Sequence, residues 1–151
     1  MSASAFVHPT AVVADGARLG EGVRIGPFCH VGADVRLGDR VELVSHVSVI
    51  GATTIGEGTR VFPFASLGAA PQDWKYKGER TTLEIGANCL LRENFTAHVG
   101  TPTGRGFTKI GDGCMLMVGS HVAHDCIVGD RVVMANGSVL AGHCEVGDNV
   151  V

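Results

Sequence analysis

Residues 23–56 read VRIGPFCHVGADVRLGDRVELVSHVSVIGATTIG, and an aliphatic residue recurs there at every sixth position. The repeat extends beyond this stretch in both directions. Its aliphatic positions run from Val7 to Leu67, resume from Ile85 to Ala97, and resume again from Ile110 to Val146. A period of six that lasts this long is typical of a parallel β-helix, in which three hexads form one triangular coil of about 18 residues.

The repeat also assigns a position to the small residues and the cysteines. The aliphatic residue of each hexad faces inward, where a fully buried branched side chain contributes about 1.5–3 kcal/mol. The residue two positions earlier lies in a tight corner and is small almost everywhere, with Leu83 and Phe95 as the large ones. All five cysteines share this corner position: Cys29, Cys89, Cys114, Cys126 and Cys144. We therefore expect buried free thiols rather than disulfides or zinc ligands, and a reducing compartment, the cytoplasm.

Length and charge exclude several classes of protein. The chain has 151 residues and a formal net charge of −3, so we expect a single domain, residues 1–151, without general affinity for nucleic acid. The first residues show no basic segment followed by an apolar run, so we expect no secretion signal. No apolar run reaches the ~18 residues of a membrane span, so no stable membrane insertion is expected.

The repeat still runs at Val146 and no cap follows it. We therefore expect a truncated solenoid whose cap comes from elsewhere.

Two interruptions of the repeat are the expected places for function, because long insertions add nothing to the stability of a regular solenoid wall. The first insertion, near residues 69–84, contains the only Trp and the only Tyr. The second insertion, near residues 99–107, shifts the phase of the repeat by seven residues. Half of the 12 basic residues lie in or beside them: Lys75, Lys77, Arg80, Arg92, Arg105 and Lys109. This clustering favours an anionic ligand, although a solvated loop would have a similar composition.

The histidines indicate one outer face of the solenoid. None of the seven occupies an inward or a corner position, so each is expected to face outward. With the seven-residue shift removed, His98 and His143 each fall within one position of the column of His124, one coil below it and one coil above it. His98, His124 and His143 are named the histidine column. His121 lies three residues before His124. An imidazole with an ordinary pKa of about 6.5 suits the removal of a proton from a hydroxyl nucleophile, and Asp125 is the neighbouring carboxylate that would orient it.

Two other interpretations stay open at this point. The first is a metal site like that of the carbonic anhydrases built on the same type of solenoid, which use three histidines. It is disfavoured because His121 and His124 are only three residues apart, closer than in those enzymes. The second is a non-catalytic solenoid with surface histidines, which the two long insertions argue against.

Several segments are more selective than the hexads themselves. The most specific are QDWKYKGE, residues 72–79, and HVAHDC, residues 121–126; the others are residues 6–11, 25–28, 64–68 and 140–143. Over essentially the whole chain, these segments resemble the N-terminal β-helix of the UDP-N-acetylglucosamine acyltransferases of lipid A biosynthesis. The resemblance implies an all-β, left-handed parallel β-helix that ends before a C-terminal helical domain. Another β-helix acyltransferase acting on a nucleotide sugar is the nearest alternative.

The resemblance also implies a reaction and its residues. The enzymes of this family transfer a 3-hydroxyacyl chain from acyl carrier protein to the 3-hydroxyl of UDP-N-acetylglucosamine, the first step of lipid A biosynthesis, without a cofactor or metal. His124 would be the general base, Asp125 would orient it, and the backbone N–H of Gly142 would stabilise the oxyanion. The residues implied in substrate binding are Gln72, Asp73, Lys75, His98, His121 and His143. A homotrimer is implied, with sites in clefts between subunits, and the truncated chain would hold only part of each site.

Overall fold

The computed structural model describes residues 4–151, which contain β-strands and turns. The strands form three sheets of seven parallel strands each, named A, B and C. Sheet A contains β1 (Phe6–Val7), β4 (Arg24–Ile25), β7 (Glu42–Leu43), β10 (Arg60–Val61), β13 (Leu90–Leu91), β16 (Met115–Leu116) and β19 (Val133–Met134). Sheet B contains β2 (Val12–Val13), β5 (His30–Val31), β8 (Ser48–Val49), β11 (Ser66–Ala69), β14 (Thr96–His98), β17 (His121–Val122) and β20 (Val139–Leu140). Sheet C contains β3 (Arg18–Leu19), β6 (Arg36–Leu37), β9 (Ala52–Ile55), β12 (Thr82–Ile85), β15 (Phe107–Ile110), β18 (Ile127–Val128) and β21 (Glu145–Val146).

The chain visits the three sheets in turn, so each coil contributes one strand to each sheet. Val7 pairs with Ile25, and Ile25 pairs with Leu43 on the next coil. Parallel strands stacked in this way are about 4.8 Å apart. The parallel β-helix that the six-residue repeat predicts is confirmed, and so is the left-handed form that the family resemblance implies. Within residues 4–151, no helix has the length and apolar character that crossing a lipid bilayer requires.

The inward residues of the repeat form one continuous core. Ile25, Leu43, Leu67, Leu91 and Leu116 are completely buried, and the hydrophobic cluster extends along the prism from Val23 to Met134. The inward residues of the outermost coils are only partly covered, because a solenoid coil is buried chiefly by its two neighbours. These partly buried residues are Val13, Leu19, Leu140 and Val146.

The large corner residue Phe95 is accommodated by a small inward residue. Phe95 and Ala97 are both completely buried, and Ala97 is the alanine of the inward series. The larger corner side chain therefore occupies volume that an aliphatic residue fills in other coils, which keeps the core close-packed. The five cysteines are free, as expected; four are buried, whereas Cys144 in the last coil is only partly buried.

Both insertions leave the solenoid at the same edge, between sheets B and C. Sheet B is left at Ala69 and sheet C is rejoined at Thr82, and one coil later the chain leaves at His98 and rejoins at Phe107. The ladder continues in register after each insertion, since Ile55 pairs with Ile85 and Ile85 with Ile110. The next coil carries the turn between β17 and β18 at this edge, so the second insertion lies one coil before the HVAHDC segment and the first insertion two coils before it.

Candidate active site

The histidine column lies along the edge between sheets B and C. The register that pairs Ala97 with Val122, and Val122 with Leu140, aligns the turns that follow β14, β17 and β20. The rings of His98 and His121 meet edge to face with centroids 4.8 Å apart, and those of His124 and His143 do so at 5.1 Å. The structure therefore brings together the four histidines that the sequence places near one another.

Asp125 fixes the orientation of the His124 ring. Its side chain is completely buried, and its Oδ2 lies 2.8 Å from Nδ1 of His124. An ionised carboxylate only accepts hydrogen bonds, so Nδ1 of His124 carries the proton and donates it. The other ring nitrogen, Nε2, is left unprotonated in the neutral imidazole. His124 is thus prepared to accept a proton at Nε2, as a general base must.

The carboxylate of Asp125 is held by donors from the second insertion. Its Oδ1 accepts from the backbone N–H of Thr101 at 3.0 Å and from that of Arg105 at 2.8 Å, and its Oδ2 accepts from Oγ1 of Thr101 at 2.6 Å. Burial alone raises the pKa of Asp125, but the hydrogen bonds from Thr101, His124 and Arg105 outweigh burial and lower this pKa to about 2. Asp125 is therefore ionised at neutral pH although it is buried.

The half-buried His98 and His121 both have pKa values below the ordinary histidine value, which favours their neutral forms. Burial lowers the pKa of His98, and the nearby His121 and His124 lower it further. Burial also lowers the pKa of His121, and a hydrogen bond to the backbone of Thr96 opposes this effect only in part. Nδ1 of His121 lies 2.7 Å from the hydroxyl oxygen Oγ1 of Thr96. Neutral imidazoles bind a ligand by hydrogen bonds rather than by charge. His98 has a buried Nδ1 without a hydrogen-bond partner in the described residues 4–151, so it is available to bind a ligand or a water molecule.

Gly142 lies directly against the ring of His124. A Cβ atom at this position would be 2.5 Å from Cε1 and 2.7 Å from Nε2 of His124, closer than real atoms approach. A side chain here would therefore displace the ring. Within residues 4–151, the backbone N–H of Gly142 makes no hydrogen bond to another backbone or side-chain group. A free donor next to the base is the feature that an oxyanion site requires.

The first insertion extends outward from the same edge. Gln72 and Lys75 are exposed, Asp73 is half-buried, and Oδ1 of Asp73 accepts a hydrogen bond from the backbone N–H of Lys75 at 2.9 Å. In the part of the chain that the structure describes, no hydrogen bond or ion pair joins these three residues to the histidine column. The structure therefore leaves them separate from the histidines in a single chain. Trp74 beside them is 99% exposed.

Comparison with known proteins identifies relatives of the same sequence family and fold. Residues 16–51 and 107–142 match the family described as bacterial transferase hexapeptide (six repeats). The chain belongs to the hexapeptide-repeat superfamily. It is 60% identical over 121 residues to the acyl-[acyl-carrier-protein]–UDP-N-acetylglucosamine O-acyltransferase of Mesorhizobium japonicum, a match of 80% of this chain and 43% of the relative. Its identity to the enzyme of the same name from Azorhizobium caulinodans is 56% over 125 residues, 83% of this chain and 46% of the relative.

Solved structures of such enzymes share the fold of this hexapeptide-repeat chain. A crystal structure of a UDP-N-acetylglucosamine acyltransferase superposes with a TM-score of 0.93 at 46% identity, over 94% of this chain and 55% of that chain. The Francisella novicida UDP-N-acetylglucosamine acyltransferase superposes with the same TM-score at 38% identity, over 95% of this chain and 52% of that one. The chain spans about half the length of the relatives that it matches.

One group of residues in this hexapeptide-repeat chain has the composition of a metal site. The ligand atoms of His124, Asp125 and His143 lie within 4.8 Å of one another. However, the carboxylate of Asp125 already accepts from four donors, supplied by Thr101, Arg105 and His124. Little of its lone-pair capacity is left for a metal ion. The geometry therefore favours a hydrogen-bonded His124–Asp125 pair over a metal centre.

Sequence reasoning missed the contribution of Thr101 and Arg105. Both lie in the second insertion, outside the repeat, so no register predicts where their N–H groups point. The one available signal was the position of the insertion, one coil before Asp125 at the same edge. A loop that departs beside a buried carboxylate is a natural source of the donors which that carboxylate needs.

Proposed function

We propose that the protein is an O-acyltransferase that moves a 3-hydroxyacyl chain from acyl carrier protein to the 3-hydroxyl of UDP-N-acetylglucosamine, the first step of lipid A biosynthesis. The observation that carries the proposal is the His124–Asp125 pair beside the free N–H of Gly142, on the edge where both insertions leave the solenoid. Relatives named for this reaction, at up to 60% identity, support the same conclusion.

The geometry suggests a single-base mechanism for ester formation. Nε2 of His124 removes the proton from the sugar hydroxyl as its oxygen attacks the thioester carbonyl. The charge of Asp125 stabilises the imidazolium that forms, and the N–H of Gly142 donates to the tetrahedral oxyanion. When the intermediate collapses, the C–S bond breaks and the thiol of the carrier protein leaves with the proton from His124. The reaction involves no oxidation or reduction, and the proton taken from the sugar hydroxyl by His124 ends on the carrier thiol.

The remaining candidate residues are proposed to bind the substrates. His98, His121 and His143 border the His124–Asp125 pair and offer hydrogen bonds to the nucleotide sugar or to the acyl and pantetheine parts of the donor. Gln72, Asp73 and Lys75 in the first insertion are proposed to bind the nucleotide sugar. Lys75 and the neighbouring basic residues suit a diphosphate and an acidic carrier protein, since both are anionic.

A homotrimer would bring the histidine column of one subunit close to the first-insertion residues of another. The histidine column lies on the outer edge of a prism, and an outer edge forms no enclosed pocket until another surface packs beside it. We propose that a neighbouring subunit supplies the second wall and that its first insertion reaches the histidine column. The five unpaired thiols fit the reducing cytoplasm as the place of action.

The proposal is tested with the full-length protein, UDP-N-acetylglucosamine and a 3-hydroxyacyl thioester of acyl carrier protein. We expect release of the carrier thiol only when the nucleotide sugar is present, and a product whose mass equals the sugar nucleotide plus one acyl group. Addition of a metal chelator should leave the rate unchanged. Thiol release that is independent of the nucleotide sugar would contradict the proposal, and loss of activity with the chelator would favour a metal-dependent reaction instead.

A further inference from the structure

The second insertion folds back over the carboxylate of Asp125. The backbone N–H groups of Gly104 and Gly106 both donate to the carbonyl oxygen of Thr101, at 3.2 and 3.0 Å, and this closes the loop around Thr101. Thr101 is 2% exposed. The loop is therefore packed against the solenoid and presents a defined set of donors.

These donors act on both oxygens of the carboxylate. Oγ1 of Thr101 donates to the Oδ2 atom that also accepts from Nδ1 of His124, at 2.6 and 2.8 Å. The backbone N–H groups of Thr101 and Arg105 hold Oδ1. With both oxygens bound, the carboxylate cannot rotate, and the direction of its bond to His124 is set by the loop.

The loop also approaches the carboxylate more closely than a side chain would allow. A Cβ atom on Gly104 would lie 2.6–2.7 Å from the carboxylate atoms of Asp125. Arg105 contacts the same turn from the other side, because its Nε donates to the carbonyl oxygen of Asp125 at 3.0 Å and its guanidinium pairs with Glu145 of the following coil. The second insertion thus contacts both the side chain and the backbone carbonyl of Asp125.

We propose that the second insertion is the positioning element of the His124–Asp125 pair, with Thr101 as its positioning residue. Thr101 touches neither substrate in this account; it acts through Asp125. The side-chain hydroxyl supplies the shortest hydrogen bond to the carboxylate and shares an oxygen with His124. Without this hydroxyl, Oδ2 loses its shortest hydrogen bond, and the carboxylate is held less firmly in the orientation that meets Nδ1 of His124. The activity part of this inference rests on the proposed function, whereas the geometric part does not.

The first test is kinetic and uses the full-length protein. Thr101→Val keeps the shape and the backbone N–H but removes the hydroxyl, Thr101→Ser restores the hydroxyl, and Thr103→Val is the matched control on an exposed threonine of the same insertion. We expect kcat of Thr101→Val to fall between about 10-fold and 100-fold, with KM for both substrates within about twofold of wild type. Thr101→Ser should recover most of kcat, and Thr103→Val should match wild type.

The second test does not need activity. In protein labelled with ¹⁵N-histidine, the Nδ1 proton of His124 should give a downfield resonance that is assigned by its loss in His124→Ala. We expect this resonance in wild type, Thr101→Ser and Thr103→Val, and a large shift or loss in Thr101→Val. If Thr101→Val does not fold, Gly104→Ala replaces it, because the added methyl group displaces the loop from the carboxylate, and the same loss of the resonance is expected.

The outcomes separate the two proposals. A wild-type protein without acyl transfer overturns the proposed function, and the resonance of His124 still tests the positioning role. Wild-type kcat together with an unchanged His124 resonance in Thr101→Val overturns the positioning role, whatever the substrate. A fall in kcat that Thr101→Ser does not rescue also contradicts it.

Discussion

Replacement of Asp125 by Asn removes a buried charge without changing the shape of the side chain. The pKa of Asp125 is lowered from its ordinary value of 3.8 to about 2 by hydrogen bonds that outweigh burial. At about 1.36 kcal/mol per unit, this difference stabilises the folded state by about 2 kcal/mol. Because the folded-state pKa is the lower one, the stabilisation is complete above about pH 5 and is lost as the pH falls through about 4 to 2.

The assay is urea denaturation followed by circular dichroism at several pH values. The stability advantage of wild type over Asp125→Asn should shrink by about 1 kcal/mol between pH 6 and pH 3, and by about 2 kcal/mol by pH 2. Asp15→Asn, at an exposed carboxylate in the first coil, is the control for loss of a surface charge. A difference between wild type and Asp125→Asn that is independent of pH would refute the assignment of a low pKa to this group.

The same substitution should abolish the orientation of the base. In Asp125→Asn, the amide oxygen can accept from Thr101 and Arg105, which leaves the NH₂ group to face Nδ1 of His124. An NH₂ donor at that position favours the tautomer of His124 that carries its proton on Nε2, and this tautomer cannot accept a proton from the substrate. We expect kcat to fall at least about 100-fold with little change in KM. A variant that retains the wild-type rate would show that Asp125 does not orient the base.

Two further predictions concern the packing around the site. Gly142→Ala should displace the ring of His124 and lower kcat at least about 10-fold. Gly147→Ala is the control and should match wild type, because a Cβ atom at that position meets no atom within 4 Å. Equal rates in the two variants would contradict the close contact between Gly142 and His124. In the folded protein, an alkylating reagent should modify Cys144 alone within minutes, and in urea it should modify all five cysteines, because the other four are buried. Rapid native modification of Cys89 or Cys126, detected by mass spectrometry, would contradict this burial.

The fold was predictable because the hexad repeat fixes each residue's position in the coil. One register accounts for the inward series, the corner cysteines and the alignment of the histidine column, since residues one coil apart lie directly above each other. The burial of Phe95 could also be predicted, because the small inward residue Ala97, two positions later, leaves a volume that the Phe95 ring fills. The partial exposure of Cys144 could not be predicted, because the burial of an outer coil depends on what packs against that coil.

The candidate site was predictable only where it belongs to the repeat. His124, Asp125 and Gly142 keep coil positions, so their proximity follows from the register. The donors of Thr101 and Arg105 come from a segment without a period, whose path depends on hydrogen bonds that form only after the loop has closed. The same reason explains why the sequence does not specify the positions of the first-insertion residues relative to the histidine column.

The most direct test of the account is the rate of acyl transfer by His124→Ala in the full-length protein. His30→Ala, at an exposed histidine of sheet B in an earlier coil, is the matched control. The account predicts that His124→Ala lowers kcat by at least about 100-fold, because the base that Asp125 orients is lost, and that His30→Ala leaves kcat unchanged. A His124→Ala rate within a few-fold of wild type would contradict the claim that this histidine is the general base.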